Sequence, residues 1–193
     1  MARGNRSGET NRRQFLSGAG AALTFGAVGR LTACANPATV LAAEKRSIGR
    51  IEHDALLCAG CGVCTLMCSL YHEKEIRVAL SRSELVRDPF EGANSLNTCR
   101  QCLSPSCHRA CPQKDSALCV DPITGIKYVN AENCKGCGIC ARNCPLQPVR
   151  IKINPAKKTA YKCDLCRGRE KGPICIEYCA QHALTVVQES AEG

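Results

Sequence analysis

Apolar positions along the chain fall in short runs separated by turn-forming residues. Leu118–Val120, then Asp121-Pro122-Ile123-Thr124-Gly125, then Ile126–Val129 read as strand, turn, strand. Val149–Ile153, the Asn154-Pro155 turn and Thr159–Tyr161 repeat the pattern, and Ala183–Val187 makes a last short strand. One mildly apolar run is longer, from Gly18 to Gly29, with Arg30 closing it. It is too short and too rich in glycine to make a transmembrane helix. Residues 73–98 lie in the longest stretch between cysteine groups, read either as a cover that touches a partner or as a surface insertion.

With 193 residues there is room for one or two small domains. Three Phe, four Tyr and no Trp leave little large apolar surface to bury, so another source of stability is needed. Eighteen cysteines are the candidate, since dense cysteine signals disulfides or metal. Sixteen of them form four groups of four. Cys58, Cys61, Cys64, Cys68 and Cys134, Cys137, Cys140, Cys144 both read C-x2-C-x2-C-x3-C, the bacterial ferredoxin run. Cys99, Cys102, Cys107, Cys111 widen the middle gap to four residues, and Cys163, Cys166, Cys175, Cys179 widen it to eight.

Two other chemistries compete for these thiols. Disulfides between neighbours so close in sequence are strained, and such pairs tend to be redox-active. Zinc suits two separated C-x2-C knuckles but has no use for a third cysteine at the next x2 step. A loop that offers three thiolates to three corners of one cube does need it. Four complete groups point to four [4Fe–4S] clusters. In a two-cluster ferredoxin the fourth cysteine of a run ligates the other cluster, because x3 spacing starts a helical turn that points it away. Exchange of fourth ligands therefore pairs the runs, and spacing alone leaves open whether sequential or nested runs pair.

The net charge of +9 resembles a nucleic-acid signal, but it is not one. Five arginines and one glutamate among residues 1–43 supply four of those charges. Four clusters at a formal charge of about −2 each would bring the remainder to about −3. Aromatic platforms for single strands are also missing. No organised nucleophile, acid–base pair or nucleotide loop is visible, so the expectation is a chain without catalytic residues. Cys119 reads as a buried strand cysteine. His72, His108 and His182 read as hydrogen-bonding or surface groups near the cysteine loops. Lys157-Lys158 and Arg167 to Lys171 read as solvated loops or as a docking face for an acidic partner.

Asn11-Arg12-Arg13-Gln14-Phe15-Leu16-Ser17 resembles the twin-arginine export signal, departing from its usual form at Asn11 and Ser17. That route, as the resemblance implies, exports folded, cofactor-loaded proteins. It suits clusters built from thiols that an oxidising compartment would convert to disulfides. Cleavage near Val40-Leu41-Ala42-Ala43 is expected. Leu31-Thr32-Ala33-Cys34 also resembles a lipobox in which Cys34 would be lipidated, and an uncleaved anchor is the third alternative.

The stretch from about Ile48 to Val187 resembles the four-cluster electron-transfer subunits of the dimethyl sulfoxide reductase family. The matching motifs are Cys-Gly-Val-Cys (61–64), Cys-Arg-Gln-Cys (99–102), Asn-Cys-Lys-Gly-Cys-Gly-Ile-Cys (133–140) and Lys-Cys-Asp-Leu-Cys (162–166). The resemblance implies nested pairing. Cys58, Cys61 and Cys64 would share a cluster with Cys179, and Cys163, Cys166 and Cys175 one with Cys68. Cys99, Cys102 and Cys107 would join Cys144, and Cys134, Cys137 and Cys140 would join Cys111. Ferredoxin runs often carry proline after the fourth cysteine, as at Pro112 and Pro145; Ser69 and Ala180 depart from this.

The expected fold is α+β, with two ferredoxin-like modules of small hairpins and short helices, the inner inserted in the outer. The expected parts are a signal region (1–43), an outer module (44–98 plus 159–193) and an inner module (99–158). The resemblance implies a non-catalytic periplasmic subunit that relays electrons between a quinone-linked membrane subunit and a catalytic oxidoreductase subunit of molybdenum or tungsten pterin type. No nucleic acid is expected, and membrane contact would run through partners or a lipidated Cys34. The alternatives are a free-standing polyferredoxin and, from another class, a zinc-stabilised binding protein.

Overall fold

The computed structural model describes residues 49–90 and 92–188, so the twin-arginine run, Cys34 and the cleavage sites lie outside the described residues. Among the described residues, eight short strands pair into four antiparallel two-stranded ladders, and each α-helix sits beside a cysteine run. Strand β1 (Arg50–His53) pairs with β8 (Leu184–Val187), Ile51 facing Val186, and so ties the two ends of the described chain together. β2 (Glu84–Val86) pairs with β3 (Ser95–Asn97), inside the cysteine-free stretch. β4 (Leu118–Val120) pairs with β5 (Lys127–Val129), and β6 (Lys152–Asn154) with β7 (Thr159–Tyr161).

The two expected hairpins are present, with shifted edges. β5 starts at Lys127 rather than Ile126, and β6 covers residues 152–154 rather than 149–153. Local turn chemistry explains the second shift. Asn154 ends β6 and also starts its turn, its Oδ1 accepting from Ala156 N–H and Lys157 N–H at 3.0 Å each. Asp121 does the same after β4, accepting from Ile123 and Thr124.

Helix α1 (Val63–Glu73) has eleven residues; α2 (Ser106–Arg109), α3 (Ile139–Arg142) and α4 (Ile174–Glu177) have four each. α1 ends where Lys74 turns left-handed (φ 60°) and its N–H closes on the Leu70 carbonyl at 3.0 Å. α1 packs on α4, and α2 on α3, so helices of like position meet in two nested pairs. The length of α1 accounts for Ser69. A proline there would sit inside the helix, removing a donor and clashing with the preceding turn. Ser69 is instead fully buried, its hydroxyl donating to Leu66 O and accepting from Arg77 N–H.

Two apolar clusters form the core. One gathers Ile51, Ile126, Leu165 and Leu184 around Cys163 and Cys175, and the other Leu118, Ile151 and Ala160 around Cys140. Six of the eighteen buried apolar side chains among the described residues are cysteines. The shortage of large side chains is thus met by sulfur, and whatever those thiols bind completes the core. Among the described residues, no helix is long and apolar enough to cross a membrane.

Candidate iron–sulfur site

The chain turns tightly at each run. Gly60 and Gly62, and Gly136 and Gly138, lie in the left-handed region, which bends each loop inward around its three leading cysteines. A Cβ on Gly136 would lie 2.3 Å from the Lys158 carbonyl oxygen, so only glycine fits there. In the runs with widened gaps, Gln101, Leu165 and Cys166 take the same hand without being glycine.

The sixteen expected cysteines come together in four sets, each made of three from one run and one from another. Cys58, Cys61, Cys64 and Cys179 line one cavity, and Cys99, Cys102, Cys107 and Cys144 a second. Cys111, Cys134, Cys137 and Cys140 line a third, of about 340 Å³. Cys68 faces Cys163, Cys166 and Cys175 in the fourth set, all four of them buried. Runs one and four thus meet, as do two and three; sequential pairing is not how the chain places them. The sets also adjoin in series. Cys64 of the first faces Cys175, Cys163 faces Cys99, and Cys107 packs with Cys111 against one core cluster.

All sixteen thiols are free. Burial pushes the Cys64, Cys107 and Cys166 thiols up to about 11. Burial also drives the Cys163 and Cys175 thiols up, with neighbouring cysteines adding to the effect. Crowded thiolates in a dry site need positive charge beside them, which iron provides. Single-ion zinc is a poorer fit, because its four sulfurs must converge to about 2.3 Å from one point. Among the described residues, no three such donors converge tightly enough for one ion. The donor set, its spread and its buried walls fit a cubane cluster.

Hydrogen bonds reach sulfurs in all four sets. Gly60 N–H points at Cys58 (3.4 Å), Ala160 N–H at Cys134 (3.2 Å) and Ile174 N–H at Cys166 (3.4 Å). The fourth comes from a side chain, Lys162 Nζ to Cys99 Sγ at 3.4 Å. Burial works against charge on Lys162, but Cys99, Cys107 and Cys163 raise its pKa above the ordinary lysine value.

The segment after α1 holds these loops from outside. Asn94 Nδ2 donates to Cys58 O (2.9 Å), Arg87 to Gly60 O, and Arg82 pairs with Asp164 at 2.6 Å inside the fourth run. Residues 74–98 thus cover the first and fourth runs. His72 lies 3.6 Å from Cys166 Sγ and from Asp164, with burial, Arg82 and Lys74 lowering its pKa to about 4 despite the two nearby carboxylates. His108 is buried and bonded to Asp115, while His182 is exposed. Cys119 is fully buried in β4, as the sequence led one to expect. The two basic stretches are largely paired within the chain. Arg167 bonds Asp121 and stacks on Tyr128, Arg169 bonds Glu177, and Lys157 bonds Glu73. That pairing leaves little free charge for an acidic partner.

The 4Fe-4S dicluster domain family matches residues 94–189. NrfC of Escherichia coli is 34% identical over 91% of this chain and 78% of its own length. The electron transport protein HydN of the same species is 30% identical, over 71% of this chain and 86% of its own. The chain belongs to the 4Fe-4S dicluster family. Another family relative, the polyferredoxin-like subunit of an aliphatic sulfonate oxidoreductase from Pyrococcus furiosus, is 43% identical over 63% of this chain and 66% of its own. The chain spans only 21% of the length of another match, the putative oxidoreductase AegA of Escherichia coli.

Proposed function

We propose that the protein is a non-catalytic electron-transfer subunit with four [4Fe–4S] clusters in two nested double-cluster modules. Cys58, Cys61, Cys64 and Cys179 hold the first. Cys68, Cys163, Cys166 and Cys175 hold the second, Cys99, Cys102, Cys107 and Cys144 the third, and Cys111, Cys134, Cys137 and Cys140 the fourth. The observation that carries the reading is the convergence of four free thiols in each set, three from one run and one from its nested partner. Each bound cluster would accept and release one electron. The residues supply thiolates, hydrogen bonds to sulfur in each set, and dry walls between neighbouring sets. The outer module takes residues 44–98 and 159–193 and the inner module 99–158; the β1–β8 ladder and the α1–α4 and α2–α3 pairs support that division.

The two sets at the ends of the series each have one exposed cysteine, Cys61 and Cys137. Electrons enter at one end and leave at the other, between a quinone-linked membrane subunit and a catalytic oxidoreductase subunit of molybdenum or tungsten pterin type. The relative that is itself an oxidoreductase subunit supports a complex. Export by the twin-arginine route places the protein in the periplasm or on the outer face of the cytoplasmic membrane, with Cys34 as a lipidation site if cleavage precedes it. The test is anaerobic purification of the full chain with metal and sulfide analysis. About sixteen iron and sixteen acid-labile sulfide per chain are expected. A colourless, zinc-loaded protein would sink the reading.

A further inference from the structure

Backbone N–H groups reach sulfur in three of the thiol sets; the set of Cys99, Cys102, Cys107 and Cys144 is set apart by a buried cation donating to one of its sulfurs. Lys162 is 2% exposed, and among the described residues no carboxylate pairs with its ammonium. Besides Cys99, it donates to the Lys127 carbonyl and approaches the Cys163 carbonyl at 3.4 Å. Gln101 fixes those acceptors. Its Nε2 donates to Cys163 O at 2.9 Å and to Lys127 O at 3.3 Å, while its Oε1 accepts from Lys127 N–H at 2.7 Å. The ammonium therefore cannot swing away to solvent. An unpaired buried cation is costly unless negative charge lies beside it. The groups that face it are sulfurs of two different sets, Cys99 and Cys107 of one and Cys163 of the next.

We propose that Lys162 is the shared counter-charge of the two middle clusters and sets their reduction potentials above what their thiolates alone would give. This inference rests on the cluster reading proposed above. A cluster that accepts an electron becomes more negative, and a fixed cation held against its ligands stabilises that reduced state. Local charge and hydrogen bonds to sulfur are among the levers that set such potentials. Holding the middle of the series up keeps electrons from meeting a barrier where the two modules join. Among the described residues, no lysine or arginine donates to a sulfur of the first or last set, so the effect is confined to two of the four couples.

The experiment compares full-length, anaerobically purified wild type with K162M, K162Q and K162R. Iron and sulfide are counted first, then each protein is titrated with mediators and followed by electron paramagnetic resonance. Wild type without four one-electron couples refutes the cluster reading itself, before any variant is considered. With four couples present, K162M and K162Q are expected to keep their iron. Two couples should then show a reduced-to-oxidised ratio lower by on the order of tenfold at the wild-type midpoints. For a one-electron couple that is a shift of about 59 mV to lower potential. K162R, which keeps the charge, should leave all four in place. Any other number of shifted couples overturns the proposal, as does a K162R shift as large as that of K162M. Loss of iron from both neutral variants also overturns it, since the lysine would then hold the clusters rather than tune them.

Discussion

The set of Cys68, Cys163, Cys166 and Cys175 and the set of Cys111, Cys134, Cys137 and Cys140 are alike in donors and in their three-plus-one make-up, yet they lie at different depths. All four sulfurs of the first are buried; in the second only Cys140 is, and Cys137 is exposed. The difference comes from what surrounds them. The first set takes Cys68 from an eleven-residue helix and is roofed by residues 74–98, through Arg82 on Asp164 and Tyr161 on Ala79. The second takes Cys140 from a four-residue helix and Cys111 from just beyond another, with the β6–β7 hairpin on one side. Depth is therefore a property of the cover rather than of the ligands. It separates a cluster suited to passing electrons inside the protein from one suited to exchanging them at the surface.

The largest expected effect is that of removing one ligand from each set. Cys163 belongs to the core cluster with Ile51, Leu165 and Leu184. C163S is expected to lose its cluster and, with it, the folded core, since metal binding and folding are one free energy at such a site. C137S removes an exposed ligand at the rim, so about three quarters or more of the iron should remain on a folded chain. Iron per chain and the thermal melt, measured on both variants, check this. Equal iron loss and equal melting would show that the difference in depth has no energetic meaning.

A smaller effect is expected at two glycines. Gly136 (φ +63°) faces the Lys158 carbonyl, and Gly168 (φ +85°) has open space around it. G168A should cost only the left-handed penalty of about 1–2 kcal/mol. G136A adds a backbone clash on top of that, so roughly 2–4 kcal/mol is expected for the pair of effects. Denaturant midpoints of the loaded proteins measure both. A G136A no worse than G168A would mean that the rim loop yields freely, and would widen the contrast with the buried set.

Much of the site was legible in the cysteine spacing, because x2 and x3 gaps directly constrain where thiolates can point. The nested pairing was not in the spacing; it came from a family resemblance, and the placement of Cys179 beside Cys58 is its structural counterpart. The β4–β5 hairpin was legible because its turn, Asp121 to Gly125, is dense in turn formers. The β1–β8 ladder was not, since Arg50-Ile51-Glu52-His53 has one apolar residue and a partner more than a hundred residues away. The β2–β3 hairpin was hidden for a related reason: its few apolar residues are only partly covered. Lys162 stood in plain view before Cys163, but a lysine carries no sequence signal of burial. The nearest thing to one is its position between Tyr161, which ends β7, and Cys163.

The smallest effect tests the cover itself. Tyr161 is buried in β7, and its hydroxyl donates to the Ala79 carbonyl at 2.7 Å, joining the β6–β7 hairpin to the 3-10 turn Val78–Leu80. Ala79 is exposed, so water can replace the lost donor when Tyr161 becomes phenylalanine. Y161F should therefore cost only about 0.5–1 kcal/mol. The ring stays and the packing of β7 with it; what is lost is a tether on the cover. Amide hydrogen exchange should then quicken across residues 74–90 and stay unchanged around Cys134, Cys137 and Cys140. Oxidative bleaching of the buried cluster should also speed up relative to the rim cluster. Equal exchange in both regions, or faster exchange at the rim, would mean that residues 74–98 lie over the deep set without protecting it, and the explanation of its depth would have to move to α1 alone.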